Sequence, residues 1–343
     1  GAGQRHNLAF IQPVDARGNF PEAMPLIGGK FFKDADPIII EELKRRDVLW
    51  KAATVTHTYP FCWRCDTPLL YYARSSWFLR TTAFRDDMLA RNGRITWTPP
   101  ETGAGRFGEW LENNIDWAIS RDRYWGTPLP VWECDADETH RMAVGSFAEL
   151  SKLAGKPLPE NFDPHKPYID AYTWPAPSGT GTMRRVPEVI DTWFDSGSMP
   201  FAQWHYPFEH ADEFRAHFPG DFIAEGVDQT RGWFFTLHAI AGMLFDSVAF
   251  KNVVSNGLVL DKNGNKMSKR LGNAVDPFDT IAKYGADATR WYMITNASPW
   301  DNLKFDQEGI TEVQRKFFGT LYNTYQFFAL YANVDGFSFK ESY

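Results

Sequence analysis

The stretch from Asp221 to Leu260 reads DFIAEGVDQTRGWFFTLHAIAGMLFDSVAFKNVVSNGLVL. "DFIAE" is a short apolar run of strand length. "GWFFTLHAIAGMLF" is long enough for a helix, and "FKNVVSNGLVL" returns to β-branched residues. Strand, helix and strand at this spacing predict a parallel pair joined by a crossover helix, and hence a mostly parallel, doubly wound α/β sheet. Upstream, "EVIDTWF" reads as a further strand. Ligands of such sheets bind beyond the carboxyl ends of the strands. Chemistry is therefore expected in the loops after "IAE" and after "GLVL".

The second of these loops, "DKNGNKMSKRLGN" from Asp261 to Asn273, holds four cations, two glycines and three asparagines in thirteen residues. A lysine-rich turn is most often plain solvated surface. Here Lys266 and Lys269 lie three apart, with Lys262 and Arg270 beside them and Gly264 and Gly272 supplying mobility. Lysine is a point charge on a flexible stem, suited to following a phosphate through a reaction. A mobile loop that closes on a triphosphate stabilises charge developing during displacement and reopens for release.

Further along, Asp276-Pro277 starts a helix that Gly285 ends. Thr311 and Gln314 form a capping-box pattern, and Val313, Phe317, Leu321, Tyr325 and Phe328 recur at helical spacing. That amphipathic helix needs a partner. On the amino side, Asp36-Pro37 before "IIIEELKRR" reads as another helix start. "LLYYA" (Leu69–Ala73) and "IDWAIS" (Ile115–Ser120) read as strands, and residues 133–187 as an insertion with little helix.

The 343 residues are 43% hydrophobic and 23% charged, which suits about two domains. A net charge of −7 and no basic stripe argue against a non-catalytic RNA-binding module, so any polyanion is caught locally. No apolar run approaches the ~20 residues of a membrane helix. Three cysteines, an odd and sparse set, point to metal or free thiols in a reducing setting. Cys62 and Cys65 form a CxxC whose spacing suits two thiolates on one Zn²⁺, half of the four ligands a structural site takes. Aromatics make up 16%, with 14 tryptophans, several beside polar residues, which suggests pockets with flat apolar walls.

"KMSKR" (Lys266–Arg270) resembles the KMSKS signature of class I aminoacyl-tRNA synthetases, with Arg270 for the last serine. "AEGVDQTRGWF" (Ala224–Phe234), "DTWFDSGSMPF" (Asp191–Phe201), "DWAISRDRYWGTPLPVW" (Asp116–Trp132) and "YPFCWRCDTPLLYYARSSWF" (Tyr59–Phe78) resemble blocks of the isoleucyl-tRNA synthetases. Valyl enzymes share the outline but carry other residues around Glu225 and in Arg121–Gly126. Another nucleotidyltransferase of this fold would need neither the tryptophans nor the Cys knuckle.

The resemblance implies a two-step reaction. Isoleucine and ATP, with Mg²⁺, give isoleucyl-AMP, and the tRNA(Ile) 3′ end then takes the aminoacyl group. Lys269 would clamp phosphate with Lys266 in support, and Met267 and Ser268 would belong to the same nucleotide loop. Glu225 would meet the substrate amino group; Gly226, Asp228 and Gln229 would contact the adenylate or its ribose. Trp193 and Trp233 would wall the amino-acid pocket.

The resemblance also implies a fold assignment: the second half of a class I Rossmann-type domain (57–310), after the tail of an editing insertion (1–56) and before the first helix of an anticodon-binding bundle (311–343). None of the eight histidines is followed by Ile-Gly-His, the family's first signature, so the chain reads as the middle of a longer, cytoplasmic, monomeric protein. The second cysteine pair of the zinc site would lie upstream. At a second knuckle, Asp137 stands where a cysteine would, leaving Cys134 without a metal role.

Overall fold

The residues from Trp233 to Phe245 carry no charge, so a helix made of them must be buried all round. In the computed structural model, which describes residues 2–62, 65–268, 271–339 and 341, they form that helix, and every residue from Phe234 to Gly242 is buried. The chain divides into two units, residues 1–76 and 77–343.

In the first unit the main element is helix α1 (Phe32–Arg45). It starts four residues before the expected Asp36, with Pro37 inside it and no side-chain cap on Phe31. Ala35 is fully buried, so packing holds the first turn in place of a cap; Pro37, past that turn, removes one amide donor and crowds the Lys33 carbonyl. At the other end Glu42 accepts from Arg45 and Arg46. "LLYYA" is irregular, not a strand: only a single bridge, Phe61 to Pro68, precedes it, and Tyr71 is exposed. With no strand alongside, its amides pair piecemeal, Leu69's with the Pro60 carbonyl at 3.0 Å and Ala73's with Gln12 Oε1 at 2.8 Å.

The second unit runs α2 (Arg85–Asn92), β1 (Thr96–Thr98), a π-helical turn (Thr102–Phe107) and α3 (Gly108–Glu112). "IDWAIS" gives two short strands, β2 (Trp117–Ala118) and β3 (Ser120–Arg121). The stretch expected to hold little helix has one of eight residues, α4 (Phe147–Ala154), but also an antiparallel sheet that its weak periodicity did not reveal. Its strands are β4 (Val131–Cys134), β5 (Asp137–Ala143), β6 (Trp174–Pro175) and β7 (Thr182–Arg185), in the order β5-β4-β7-β6. Trp132, Cys134, Leu150, Trp174 and Met183 form its own core.

"EVIDTWF" divides. Val189–Ile190 is strand β8, antiparallel to β3, and Thr192–Gly197 is helix α5, capped by the Asp191 carboxylate on the Trp193 amide. An aspartate that can cap stops a strand as readily as it starts a helix. After two short helices, Met199–Ala202 and Ala211–His217, come β9 (Gly220–Gly226), a 3₁₀ turn (Val227–Arg231), α6 (Trp233–Phe245) and β10 (Phe250–Asn256). β9, β10 and β1 form one parallel sheet in that order, with Glu225 opposite Ser255 and Val253 opposite Trp97. Helix α6 packs Phe234, Leu237 and Ala241 with Trp97, Phe107, Phe250 and Val253.

"FKNVVSNGLVL" breaks at Gly257 into β10 and β11 (Val259–Leu260). A Cβ on Gly257 would lie 2.1 Å from the Asp301 carbonyl oxygen, so only glycine lets the chain pass there. Helix α7 (Pro277–Tyr284) has Asp276 as its cap and ends at Gly285, whose φ is +85°, as the sequence indicates. Then follow α8 (Ala286–Thr295), β12 (Leu303–Lys304) parallel to β11, and α9 (Gln307–Val313). α9 begins four residues before Thr311, because Asp306 takes the cap. Gln314 instead donates to the Tyr284 carbonyl at 2.7 Å. A π-helical turn (Gln314–Phe318) leads into α10 (Gly319–Val334), which buries none of its residues. Among the described residues, no helix is long and apolar enough to cross a membrane.

Candidate functional site at the carboxyl edge of the parallel sheet

Strands β9 and β10 end side by side at Gly226 and Asn256, and the chain leaves both at the same edge. Glu225 is the last side chain of β9 and is exposed. Beyond it the 3₁₀ turn is pinned from below. Thr230, fully buried, donates to the Val227 carbonyl and accepts from Arg106 Nε at 2.9 Å. This leaves Asp228 and Gln229 on the outer side, with Gln229 Nε2 3.3 Å from Asp228 Oδ2. Gln229 Oε1 accepts from the Trp233 amide at 3.0 Å, so it also starts helix α6. Asp228 Oδ1 would lie 2.6 Å from a Cβ on Gly226, so any larger residue there would push the Asp228 carboxylate aside.

Trp193 and Trp233 come from different elements, and the Trp193 ring approaches Gly232, the residue before Trp233. The tip of the Trp193 ring lies 3.2 Å from where a Gly232 Cβ would stand. Trp233 Nε1 donates to the Ser196 carbonyl at 2.9 Å, tying α6 to α5. Trp193 stays 42% exposed, so part of its side chain remains open to solvent. Underneath, Asp191 is buried and accepts from Arg121 at 2.6 Å and from Trp117 Nε1 at 3.1 Å. The neighbouring Asp195 carboxyl is pushed up by burial, against the hydrogen bond from Thr127. The sequence reading gave no role to Asp191, Arg121, Arg106 or Thr230. Asp191, Thr230 and Arg121 lie inside blocks that carry the family resemblance, whereas Arg106 lies in none.

Of the cationic loop, Lys269 and Arg270 lie outside the described residues. Lys266 is exposed and bridges back to Leu260. Met267 packs into the cluster of Tyr292, Leu303, Phe305 and Ile310. Ser268 gives its amide to Asn273 Oδ1 at 2.8 Å. Asp261 accepts from Asn273, Asn265 and Asn263, and these bonds, Asn273's first, hold its carboxyl below the usual carboxylate range. The expected mobile loop is thus pegged at both ends, which its run of asparagines conceals in the sequence.

Cys62 and Cys65 sit in the first unit on a tight knuckle. The Cys62 amide donates to the Thr67 carbonyl and the Asp66 amide to the Cys62 carbonyl, each at 2.8 Å. The Cys65 thiol is 2.9 Å from the Thr67 hydroxyl, which lowers its pKa, with Cys62 contributing less. The pair fits half a zinc site. Among the described residues, no group of three or more His, Cys, Asp or Glu completes a metal site. Cys134 is buried in the core of the antiparallel sheet, 3.4 Å from the Thr180 carbonyl.

The parallel sheet thus carries Glu225 and the Asp228–Gln229 turn at its carboxyl edge, while the lysine loop follows β11, which pairs with β12 in a sheet of its own. The chain belongs to the class I tRNA synthetases (I, L, M and V), whose family model matches residues 29–306. Its relatives include the isoleucine–tRNA ligase of Cytophaga hutchinsonii, 53% identical over 96% of this chain and 32% of that protein. That of Porphyromonas gingivalis is 56% identical over 91% and 30%, and that of Thermus thermophilus 52% over 96% and 31%. The chain spans about a third of the length of these curated relatives. Among solved structures, Mycobacterium tuberculosis methionyl-tRNA synthetase in complex with methionyl-adenylate has the same fold. Its TM-score is 0.50 at 17% identity, over 75% of this chain and 40% of that one.

Proposed function

We propose that this chain supplies the second half of the catalytic domain of an isoleucine–tRNA ligase. The observation that carries it is the approach of the half-exposed Trp193 ring to Gly232, at the end of the turn that follows Glu225, with Trp233 tied to the Trp193 helix through Ser196. A partly exposed indole suits a branched aliphatic side chain, and a carboxylate suits its ammonium. The isoleucine carboxylate oxygen attacks the α-phosphorus of ATP, the bond to the β-phosphate breaks, and pyrophosphate leaves. Asp228 and Gln229 offer an acceptor and an amide to the ribose hydroxyls, and Gly226 lets the adenylate approach the backbone.

Lys266 and Lys269, with Met267 and Ser268 between them, meet the charge that builds on the leaving phosphates. Mg²⁺ would travel with the ATP and neutralise part of its charge; the described residues offer no cage for it. The tRNA(Ile) 3′ end then attacks the mixed anhydride. Residues 1–56 would close an editing insertion and 311–343 would open the anticodon-binding helices. An apolar wall separates one methylene poorly, isoleucine against valine being the standard illustration, and editing is the remedy.

The test is isoleucine-dependent pyrophosphate exchange by a full-length synthetase carrying these residues, with and without Lys269→Ala. The substitution should lower kcat far more than it raises the KM for isoleucine, because the charge it meets develops in the transition state. Faster exchange with valine or another amino acid would overturn the substrate. A rise in KM alone would reduce Lys269 to ground-state binding.

A further inference from the structure

One side chain closes the cationic loop. Asn273 Nδ2 donates to Asp261 Oδ2 at 3.0 Å and to the Lys266 carbonyl at 3.2 Å, and its Oδ1 accepts from the Ser268 amide at 2.8 Å. Both halves of the amide are engaged. The contacts fall on the residue that opens the loop, on Lys266 itself, and on the residue two beyond it. Asp261 is fixed in turn, its Oδ1 accepting from the Asn263 and Asn265 amides at 2.9 and 2.8 Å. Gly272, at a φ of +67°, turns the chain so that Asn273 faces back into the loop.

From this geometry we infer that Asn273 is a positioning residue, whose amide holds the Lys266–Ser268 segment in one register before any nucleotide arrives. Lysines on a loose glycine-rich loop sample many placements, and few of them put charge where the leaving phosphates develop theirs. A clip that fixes the backbone leaves only the side-chain rotamers to be ordered. Met267, seated in the apolar cluster, anchors the same segment from its other side. The catalytic consequence rests on the function proposed above; the clip itself does not.

Two measurements test it. In the full-length synthetase, Asn273→Ala should lower kcat for isoleucine-dependent exchange by about 100-fold and leave the KM for isoleucine nearly unchanged. Exchanging the pair, Asp261→Asn with Asn273→Asp, reverses the donor between the two side chains and keeps an acceptor for the Ser268 amide, but gives up the bond to the Lys266 carbonyl, which a carboxylate cannot make. The double variant should recover part of the lost kcat, and neither single change should match it; a residue needed only for general stability would show no such recovery. Separately, in the 343-residue chain, Asn273→Ala should speed tryptic cleavage after Lys266 while leaving cleavage after Lys251 as it was. If the wild-type synthetase fails to exchange with isoleucine, the proposed function falls and the tryptic rates still decide the clip. An active wild type matched by Asn273→Ala overturns the inference, as do equal tryptic rates after Lys266.

Discussion

At the scale of single residues, the least legible group is His238. In the sequence it is one polar letter in an apolar helix. In the fold it is fully buried, donating from Nε2 to the Met88 carbonyl at 2.8 Å, with Nδ1 lacking a partner. Burial lowers its pKa from 6.5 to about 4, and the Met88 bond only partly offsets that. The unfolded chain therefore takes up a proton near pH 6.5 that the folded chain refuses until about pH 4. Stability from this group is full above pH 6.5 and is lost as the pH falls through that window. Between pH 7 and pH 5 the loss should be about 2 kcal/mol. Urea unfolding of the chain at the two pH values checks it. His238→Asn should flatten the pH dependence, whatever it does to stability at pH 7. An unchanged slope would mean that the imidazole is protonated within the fold.

Elements were legible where local chemistry and tertiary packing agree. Helix α7 shows this at both ends. Asp276 Oδ1 accepts from the Phe278 and Asp279 amides at 2.8 and 3.1 Å, and Gly285 takes the positive φ that stops the helix. Asp276→Ala should cost about 1 kcal/mol, and Asp276→Asn much less, by thermal or chemical unfolding. Equal losses would mean that the cap is replaced by water. Where the two disagree, the local reading fails. Asp36-Pro37 has the right letters for a helix start, yet the helix begins at Phe32 because Ala35 is buried. Thr311 and Gln314 have the spacing of a capping box, yet Asp306 reaches the amides first. The antiparallel strands of residues 131–185 are two to seven residues long, too short for alternation to show, and their core is assembled from distant tryptophans.

The whole molecule shows the same division. The parallel sheet, its crossover helix and the loops at its edge follow from one stretch of forty residues, because an uncharged helix between two β-branched runs has few ways to be buried. The supports of the site do not follow from it. Asp191, Thr230 and Asn273 act through partners that lie far along the chain or are masked by similar neighbours. The cysteines are the clearest case of local chemistry with an incomplete surrounding. Cys62 and Cys65 are presented together on a knuckle, with the Cys65 thiol already biased toward thiolate, but two thiolates leave half of a tetrahedral shell open. Metal affinity at such a site doubles as folding energy and grows steeply with each ligand. Zinc should therefore bind the 343-residue chain weakly, in competition with a mild chelator, and Cys62→Ser should abolish even that. Cys134→Ser should leave zinc uptake unchanged, since that sulfur is packed inside the antiparallel sheet against Thr180. Metal analysis of the three proteins decides it: if Cys134→Ser loses as much zinc as Cys62→Ser, then Cys134 is a ligand and the second knuckle is intact.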